Sequence, residues 1–206
     1  MGFAMGRGYN EPMRESDSVN AAASGQKLTY DDFVLFPDDG MRHEIIDGEH
    51  YVSPSPNIRH QQVLGALHLL VASWLETRDV GKVFLAPLDV LFSHFDIVEP
   101  DLLYCSNERA SEILARLHVR GAPELVVEIA SPGTRKRDAT IKWNLYERGG
   151  VSEYWIVDPD ADVIRVYRRR GAAFAAAGEL SRNAGDVLTT PLLPGLDMPL
   201  ARIFRE

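Results

Sequence analysis

Three side chains could take part in hydrolysis, namely Asp101, Glu128 and Lys142. Glu128 interrupts the apolar run "LVVEIA", which predicts a buried strand. Because side chains alternate between the two faces of a strand, Glu128 shares its face with Val126 and Ala130. An unpaired carboxylate in a buried strand costs several kcal/mol, so the pattern predicts a cation, a hydrogen-bond partner or a wet cleft beside Glu128.

Four cationic side chains follow this strand, namely Arg135, Lys136, Arg137 and Lys142. Lys142 lies on a predicted helix over 138–148, next to an apolar stripe made by Ile141 and Leu145 that would pack on the sheet. A lysine at the border of such a contact can bury its stem while its ammonium reaches the strand. We therefore predict an ion pair between Lys142 and Glu128.

Asp101 follows Pro100 at the start of the predicted strand "DLLYCS". Two carboxylates that converge near one end of a sheet suit Mg²⁺, which prefers oxygen ligands and keeps positions open for a phosphate. A metal-assisted hydrolytic site is one interpretation of Asp101 and Glu128. The other is a salt-bridged acid without a metal, with Asp101 as an ordinary Pro-Asp turn residue.

The elements that must position these residues can be predicted from periodicity and turn residues. We expect a helix at "TYDDF" with Thr29 as N-cap, a hairpin at Asp47-Gly48 that carries Glu44, a core helix over 57–76 and a hairpin at Pro159-Asp160. The runs "KVFLAPLDVLF" and "IVEPDLLYCS" predict two strands, and "RVYRRR" is typical of a charge-protected edge strand. Mixed strands and helices predict an α/β or α+β domain with a central mixed sheet flanked by helices.

Composition limits the function classes. The 206 residues are 45% hydrophobic, which predicts one domain over 27–206 after a flexible lead over 1–26. The formal net charge of -8 excludes a protein that coats nucleic acid through bulk positive charge. The lone Cys105 excludes an internal disulfide and a cysteine-based zinc site. With neither a membrane-spanning run nor a signal-peptide pattern, we expect a cytoplasmic protein.

Four ordered segments resemble the Uma-two family of restriction endonucleases, within the PD-(D/E)XK nuclease superfamily: "RHEIIDGEHYVSPSPNIRHQ", "VEPDLLY", "LVVEIASPGTRKRD" and "KWNLYERGGVSEYWIVDP". The resemblance implies a restriction-endonuclease-like fold, cleavage of DNA with Mg²⁺ or Mn²⁺, and a homodimer. It also implies roles for individual residues. Asp101 and Glu128 match the metal-binding acids, Glu44 resembles an additional acidic metal ligand, and His60 resembles an accessory position.

The sequence departs from the superfamily pattern at Ala130, where the signature has a lysine. The resemblance implies that a lysine on the following helix takes its place, and Lys142 is the residue at that position. Lys142 would orient the attacking water or stabilise charge on the phosphate. The run Arg135, Lys136 and Arg137 would grip flanking phosphates without reading sequence.

Two other functions stay open. In a catalytically idle member of the fold, the same acids and Lys142 would form a structural network in a binding or regulatory module. The missing lysine at position 130 favours that interpretation. A small-molecule phosphodiesterase is the third possibility, because a net charge of -8 is unusual for an enzyme that acts on DNA.

Overall fold

The computed structural model describes residues 26–205, and most of the expected N-terminal lead lies outside that part. The strands are β1 Arg42–Ile46, β2 Glu49–Ser53, β3 Gly81–Leu85, β4 Val90–Ser93, β5 Asp96–Val98, β6 Leu102–Ser106, β7 Val119–Arg120, β8 Leu125–Ile129, β9 Glu153–Asp158, β10 Val163–Arg170, β11 Ala173–Ser181, β12 Val187–Leu188 and β13 Met198–Pro199. The helices are α1 Tyr30–Phe33, α2 Ile58–Glu76, α3 Asn107–Ile113, α4 Arg135–Arg137, α5 Trp143–Gly149 and α6 Leu200–Ile203. A π-helical turn, Asp138–Lys142, joins α4 to α5 without a break, and a short 3₁₀ turn, Arg182–Ala184, follows β11.

The strands form two mixed sheets and a small third one. The larger sheet has the order β11-β10-β9-β8-β6-β3, in which only β8 and β9 run parallel. The second has the order β2-β1-β5-β4-β7, with β4 and β7 parallel, and β12 pairs with β13. The mixed α/β class predicted from the sequence is therefore confirmed, with the strands divided among several sheets instead of one.

Strand β8 separates two hydrophobic layers. Leu125, Val127 and Ile129 pack in the layer that also contains α2, whereas Val126 and Ala130 pack in the layer that contains α5. Glu128 lies between Val127 and Ile129 along the strand, so its side chain points into the α5 layer. This confirms the predicted face and brings the carboxylate towards the helix that carries Lys142.

Two of the predicted strands are wrong in extent, because each contains a proline. "KVFLAPLDVLF" divides at Pro87 into β3 and β4, which lie in different sheets. "IVEPDLLYCS" divides at Pro100 into β5 and β6 in the same way. Proline has no N–H to donate to a ladder, so the chain changes sheet at these positions. The "RVYRRR" segment is also not an edge, since β10 pairs with β9 and with β11.

Local turn and cap chemistry places the elements around the site, as predicted for the Thr29 cap and the Asp47-Gly48 turn. The carboxylate of Asp32 accepts hydrogen bonds from the backbone N–H and the hydroxyl of Thr29 at the start of α1. Asp47 and Gly48 both have positive φ, as the tight turn between β1 and β2 requires. Asn57 caps α2 by accepting a bond from the His60 N–H. Across residues 26–205, none of the helices is long and apolar enough to cross a membrane.

Candidate active site

A cavity of about 250 Å³ opens where the β1–β2 hairpin, the start of α2 and the end of β8 meet. Its lining includes seven charged or titratable side chains, namely Arg42, His60, Asp101, Glu128, Arg137, Asp138 and Lys142. The loop that follows β8, residues 131–134, forms one wall, and the loop that follows β2, residues 54–57, forms part of another. The cavity therefore gathers side chains from segments that are distant in the sequence.

Asp101 and Glu128 come from neighbouring antiparallel strands. Leu102 pairs with Val127 in the β6–β8 ladder, so Asp101 stands opposite Glu128 one step further along. The carboxylate of Asp101 accepts a hydrogen bond from the Ile129 N–H at 2.8 Å, which fixes it at the end of the strand. The two carboxylates predicted to act together therefore reach the same cavity.

Glu128 binds two donors through one oxygen. Its Oε1 lies 2.8 Å from Nζ of Lys142 and 2.5 Å from the hydroxyl of Tyr146, and both groups donate to it. Glu128 is only 3% exposed, and burial raises its pKa to about 8 although the Lys142 ammonium opposes that shift. The ion pair predicted from the sequence is present.

Lys142 reaches Glu128 from the last position of the π-helical turn. It is 1% exposed, and Asp138, Lys142 and Tyr146 are all buried at four-residue intervals on one side of the helix. A π turn inserts extra backbone into a helix and is often found at functional sites. Burial alone would lower the pKa of Lys142, but the charges of Glu128 and Glu44 outweigh it and hold that pKa above its ordinary value. Lys142 is therefore a fixed positive charge.

Glu44 on β1 is the second partner of Lys142. Its Oε1 lies 2.7 Å from Nζ of Lys142 and accepts the backbone N–H of Glu99 at 3.1 Å, while its Oε2 is 3.6 Å from Arg137. Burial would raise the pKa of Glu44, but the Lys142 and Arg137 cations outweigh it and lower that pKa. Glu44 is completely buried and is not among the described residues that line the cavity.

Asp101 has two nitrogen donors as neighbours. Its Oδ1 accepts a bond from Arg42 at 2.9 Å, and its Oδ2 lies 3.2 Å from Nε2 of His60. Burial would raise the pKa of Asp101, but the hydrogen bond from His60 and the charge of Arg42 lower it to about 2. The other ring nitrogen of His60, Nδ1, is buried without a hydrogen-bond partner among the residues that the structure describes.

The chain is similar to known proteins in sequence and in fold. The family model described as "Uma2: Putative restriction endonuclease" matches residues 30–201. The chain belongs to the Uma2 family. A solved structure described as a "putative nuclease belonging to DUF820", from Anabaena variabilis, superimposes with a TM-score of 0.70 at 20% identity, over 86% of this chain and 97% of that one. No match was found among curated proteins.

This Uma2 chain offers two carboxylates, and not three, as ligands for Mg²⁺. Within residues 26–205, no group of three or more His, Cys, Asp and Glu side chains is arranged to hold a metal ion. Glu44, which the family resemblance places in the ligand set, is turned towards Lys142. Asp101 and Glu128 both line the cavity, and Oδ1 of Asp138 is buried there without a hydrogen-bond partner in the described chain. Mg²⁺ commonly uses one or two carboxylates and completes its shell with water and phosphate oxygens, so the residues present fit it.

The three basic residues that follow β8 lie in three different environments. Arg135 binds Asp158 at 2.9 Å and Asp160 at 3.1 Å. Arg137 turns inwards, where it donates to the hydroxyl of Ser53 and lies near Glu44. Lys136 is exposed to solvent. The interpretation of all three as grips for flanking phosphates stays a prediction, and Lys136 has the most suitable surroundings for it.

Sequence analysis assigned neither Arg42 nor Tyr146 to the site. Arg42 precedes Glu44 by two positions on β1, so strand alternation puts both on one face of the hairpin. Tyr146 follows Lys142 by four positions, which puts it on the same side of the helix. Both signals were present in the spacing, but neither specified the partner on the other segment.

Proposed function

We propose that this Uma2 chain is a metal-dependent endonuclease that hydrolyses phosphodiester bonds in DNA, with Lys142 in place of the signature lysine. The observation that carries the proposal is the position of Lys142, whose Nζ lies 2.8 Å from Glu128 inside the cavity. Ala130, at the signature position, is a buried small residue in the same layer as the helix. A lysine can therefore reach the same carboxylate from the helix.

Each side chain has a role that follows from its surroundings. Asp101 and Glu128 would hold Mg²⁺, which when bound polarises the phosphate and lowers the pKa of a water molecule. Lys142 keeps its proton because two carboxylates raise its pKa, so it supplies positive charge to a developing phosphate anion and does not act as a base. Glu44 holds Lys142 in position. Tyr146 fixes the orientation of Glu128 through its hydroxyl.

A catalytically idle module is the second candidate, and a specific observation favours it. Lys142 already binds two carboxylates, and Asp101 is already bound by Arg42 and His60. Such a closed network of ion pairs is also what a purely structural role would need. The same experiment separates the two candidates.

The test is nicking of supercoiled plasmid and of single-stranded DNA with Mg²⁺, with Mn²⁺ and with chelator. Wild type is compared with Glu128→Gln, Lys142→Met and the matched control Glu153→Gln. Glu153 is also a buried acid with an arginine partner, but it lies on β9, outside the cavity lining. We expect metal-dependent nicking by wild type and Glu153→Gln and none by the other two variants. Equal trace activity in all four proteins would support the idle module.

Two further expectations stay predictions. The family resemblance implies a homodimer, and the composition suits a cytoplasmic protein. Sedimentation equilibrium of the purified chain tests the first, and fractionation of cells that express it tests the second. Neither outcome bears on the chemistry proposed for Asp101, Glu128 and Lys142.

A further inference from the structure

The reactive side chains of the cavity lie well below the protein surface. Asp101 is 2% exposed and Glu128 is 3% exposed, and both line a recess of about 250 Å³. Pockets that enclose a drug-sized ligand typically measure about 300–1,000 Å³, so this recess, which is slightly smaller, holds no more than part or all of a single nucleotide. A single strand bends freely and can lower one of its phosphates to the floor of such a recess, whereas a stiff duplex must be deformed at a cost in free energy.

The rim of the recess carries exposed prolines on two sides, beside polar residues of the same two loops. Pro54 and Pro56 follow β2 on one side, Pro132 follows β8 on the other, and all three are exposed. Duplex DNA presents charged phosphates to a surface and keeps the faces of its bases stacked inside. An unpaired strand exposes its base faces, which bind well to apolar side chains. The rim therefore suits an unpaired strand better than a duplex.

The charges around the recess also favour an unpaired strand over a duplex. Its described lining contains three Lys or Arg side chains, Arg42, Arg137 and Lys142, and each of them already has a carboxylate partner. The whole chain has a net charge of -8. A duplex has a higher charge density than a single strand, with a salt slope of about -0.9 per phosphate contact against about -0.7. An acidic protein whose described recess lining has no Lys or Arg without a carboxylate partner repels the duplex more strongly.

From the burial of the site, the exposed prolines of its rim and its paired cations, we infer that this chain acts on unpaired DNA, with one nucleotide of a single strand entering the recess between residues 54–57 and 131–134. This inference rests on the proposed function, whose substrate it makes more specific. An intact duplex is a substrate only after local unpairing, which adds a free-energy cost to every turnover.

The first test compares the cleavage of one labelled oligonucleotide as a single strand, as a blunt duplex and as a duplex with an unpaired tail. With Mg²⁺ present, we expect the single strand and the unpaired tail to be cleaved at least about tenfold faster than the blunt duplex, because of the cost of unpairing. Equal or faster cleavage of the blunt duplex would overturn the inference and leave the proposed function intact. Cleavage of none of the three would contradict the proposed function.

Binding keeps the inference testable if no DNA is cleaved. Fluorescence anisotropy in chelator measures the affinity of wild type for the same single strand and blunt duplex. We expect at least about tenfold tighter binding of the single strand, on the same argument. Equal affinity for both, or tighter binding of the duplex, overturns the inference.

A variant at the rim tests entry through the recess. A Cβ added at Gly133, which lines the recess, would meet no atom within 4 Å, and the same is true of Gly178 on the edge strand β11. Gly133→Leu therefore adds an apolar side chain to the recess lining from a Cβ position that is free of contacts, and Gly178→Leu is its matched control. We expect Gly133→Leu to weaken single-strand binding several-fold and Gly178→Leu to leave it unchanged. Unaltered binding by Gly133→Leu, with the fold intact by circular dichroism, shows that the strand does not enter there.

Discussion

Nζ of Lys142 lies 2.8 Å from Oε1 of Glu128, although the lysine is on a helix and the glutamate is on a strand 14 positions earlier. The position two residues after Glu128, where the superfamily signature has its lysine, is occupied by Ala130, which is 1% exposed. A longer side chain at position 130 would occupy part of the layer that the helix now fills. The small Ala130 on the strand thus leaves the space in which the helix that carries Lys142 packs.

Removal of the Lys142 charge should destabilise the protein strongly. Lys142→Met keeps the length of the side chain but leaves Glu44 and Glu128 buried without their shared cation. Loss of one partner of a buried ion pair costs about 3–5 kcal/mol, and we expect a decrease of that size in the free energy of unfolding. Urea denaturation at neutral pH measures it.

The double variant Lys142→Met/Glu128→Gln is the control for this prediction. It removes one of the two buried carboxylates that have lost their cation, so it should recover part of the lost stability in a double-mutant cycle. A loss below about 1 kcal/mol in the single variant, typical of exposed ion pairs, would show that the pair contributes little to the fold.

A lysine at position 130 on the strand should take over the function of Lys142 on the helix. We expect Lys142→Ala to abolish metal-dependent nicking and Lys142→Ala/Ala130→Lys to restore part of it, because position 130 shares the face of Glu128. Ala130→Lys alone should lower the free energy of unfolding by about 1–3 kcal/mol, since it overpacks a filled layer. Plasmid nicking and urea denaturation of the three variants check this. A double variant as inactive as Lys142→Ala would contradict the exchange.

Asp101 should make the stability of the protein depend on acid pH. Its pKa is about 2 in the folded protein against an ordinary value of 3.8, so its contribution is present above pH 3.8 and is lost as the pH falls towards 2. The shift corresponds to about 2 kcal/mol in total, of which about half is lost by about pH 3. Urea denaturation at about pH 6 and about pH 3, in chelator, should show a smaller pH effect for Asp101→Asn than for wild type. Identical pH effects would contradict the low pKa.

Tyr146→Phe should move the pH dependence of nicking to higher pH. The Tyr146 hydroxyl donates to Glu128 at 2.5 Å and stabilises the charged carboxylate, so its loss raises the pKa of Glu128 further above about 8. A hydrogen bond to a charged group contributes about 1.5–3 kcal/mol, which corresponds to a displacement of about one to two pH units. The measurement is the pH–rate profile at constant Mg²⁺. A lower rate with an unchanged profile would indicate that Tyr146 only supports the fold.

The sequence determined those features that depend on neighbouring residues. The alternation in "LVVEIA" fixed the face of Glu128, and the stripe of Ile141 and Leu145 fixed which side of the helix contacts the sheet. Turn and cap chemistry at Asp47-Gly48 and Asn57 fixed the ends of the hairpin and the long helix. Each of these follows from the geometry of one strand, one turn or one helix, and periodicity records that geometry directly.

Only the tertiary structure decided which distant groups share a contact. Arg42 and His60 reach Asp101 across 59 and 41 positions of the chain, and no spacing within either segment specifies that meeting. Glu44 was predicted to face the metal together with Asp101, but the packing of β1 beside the π-helical turn brings it to Lys142. The same packing buries the reactive carboxylates in a narrow recess. Side-chain pairing between segments depends on how sheets and helices pack against each other, and the local pattern of a sequence carries little of that information.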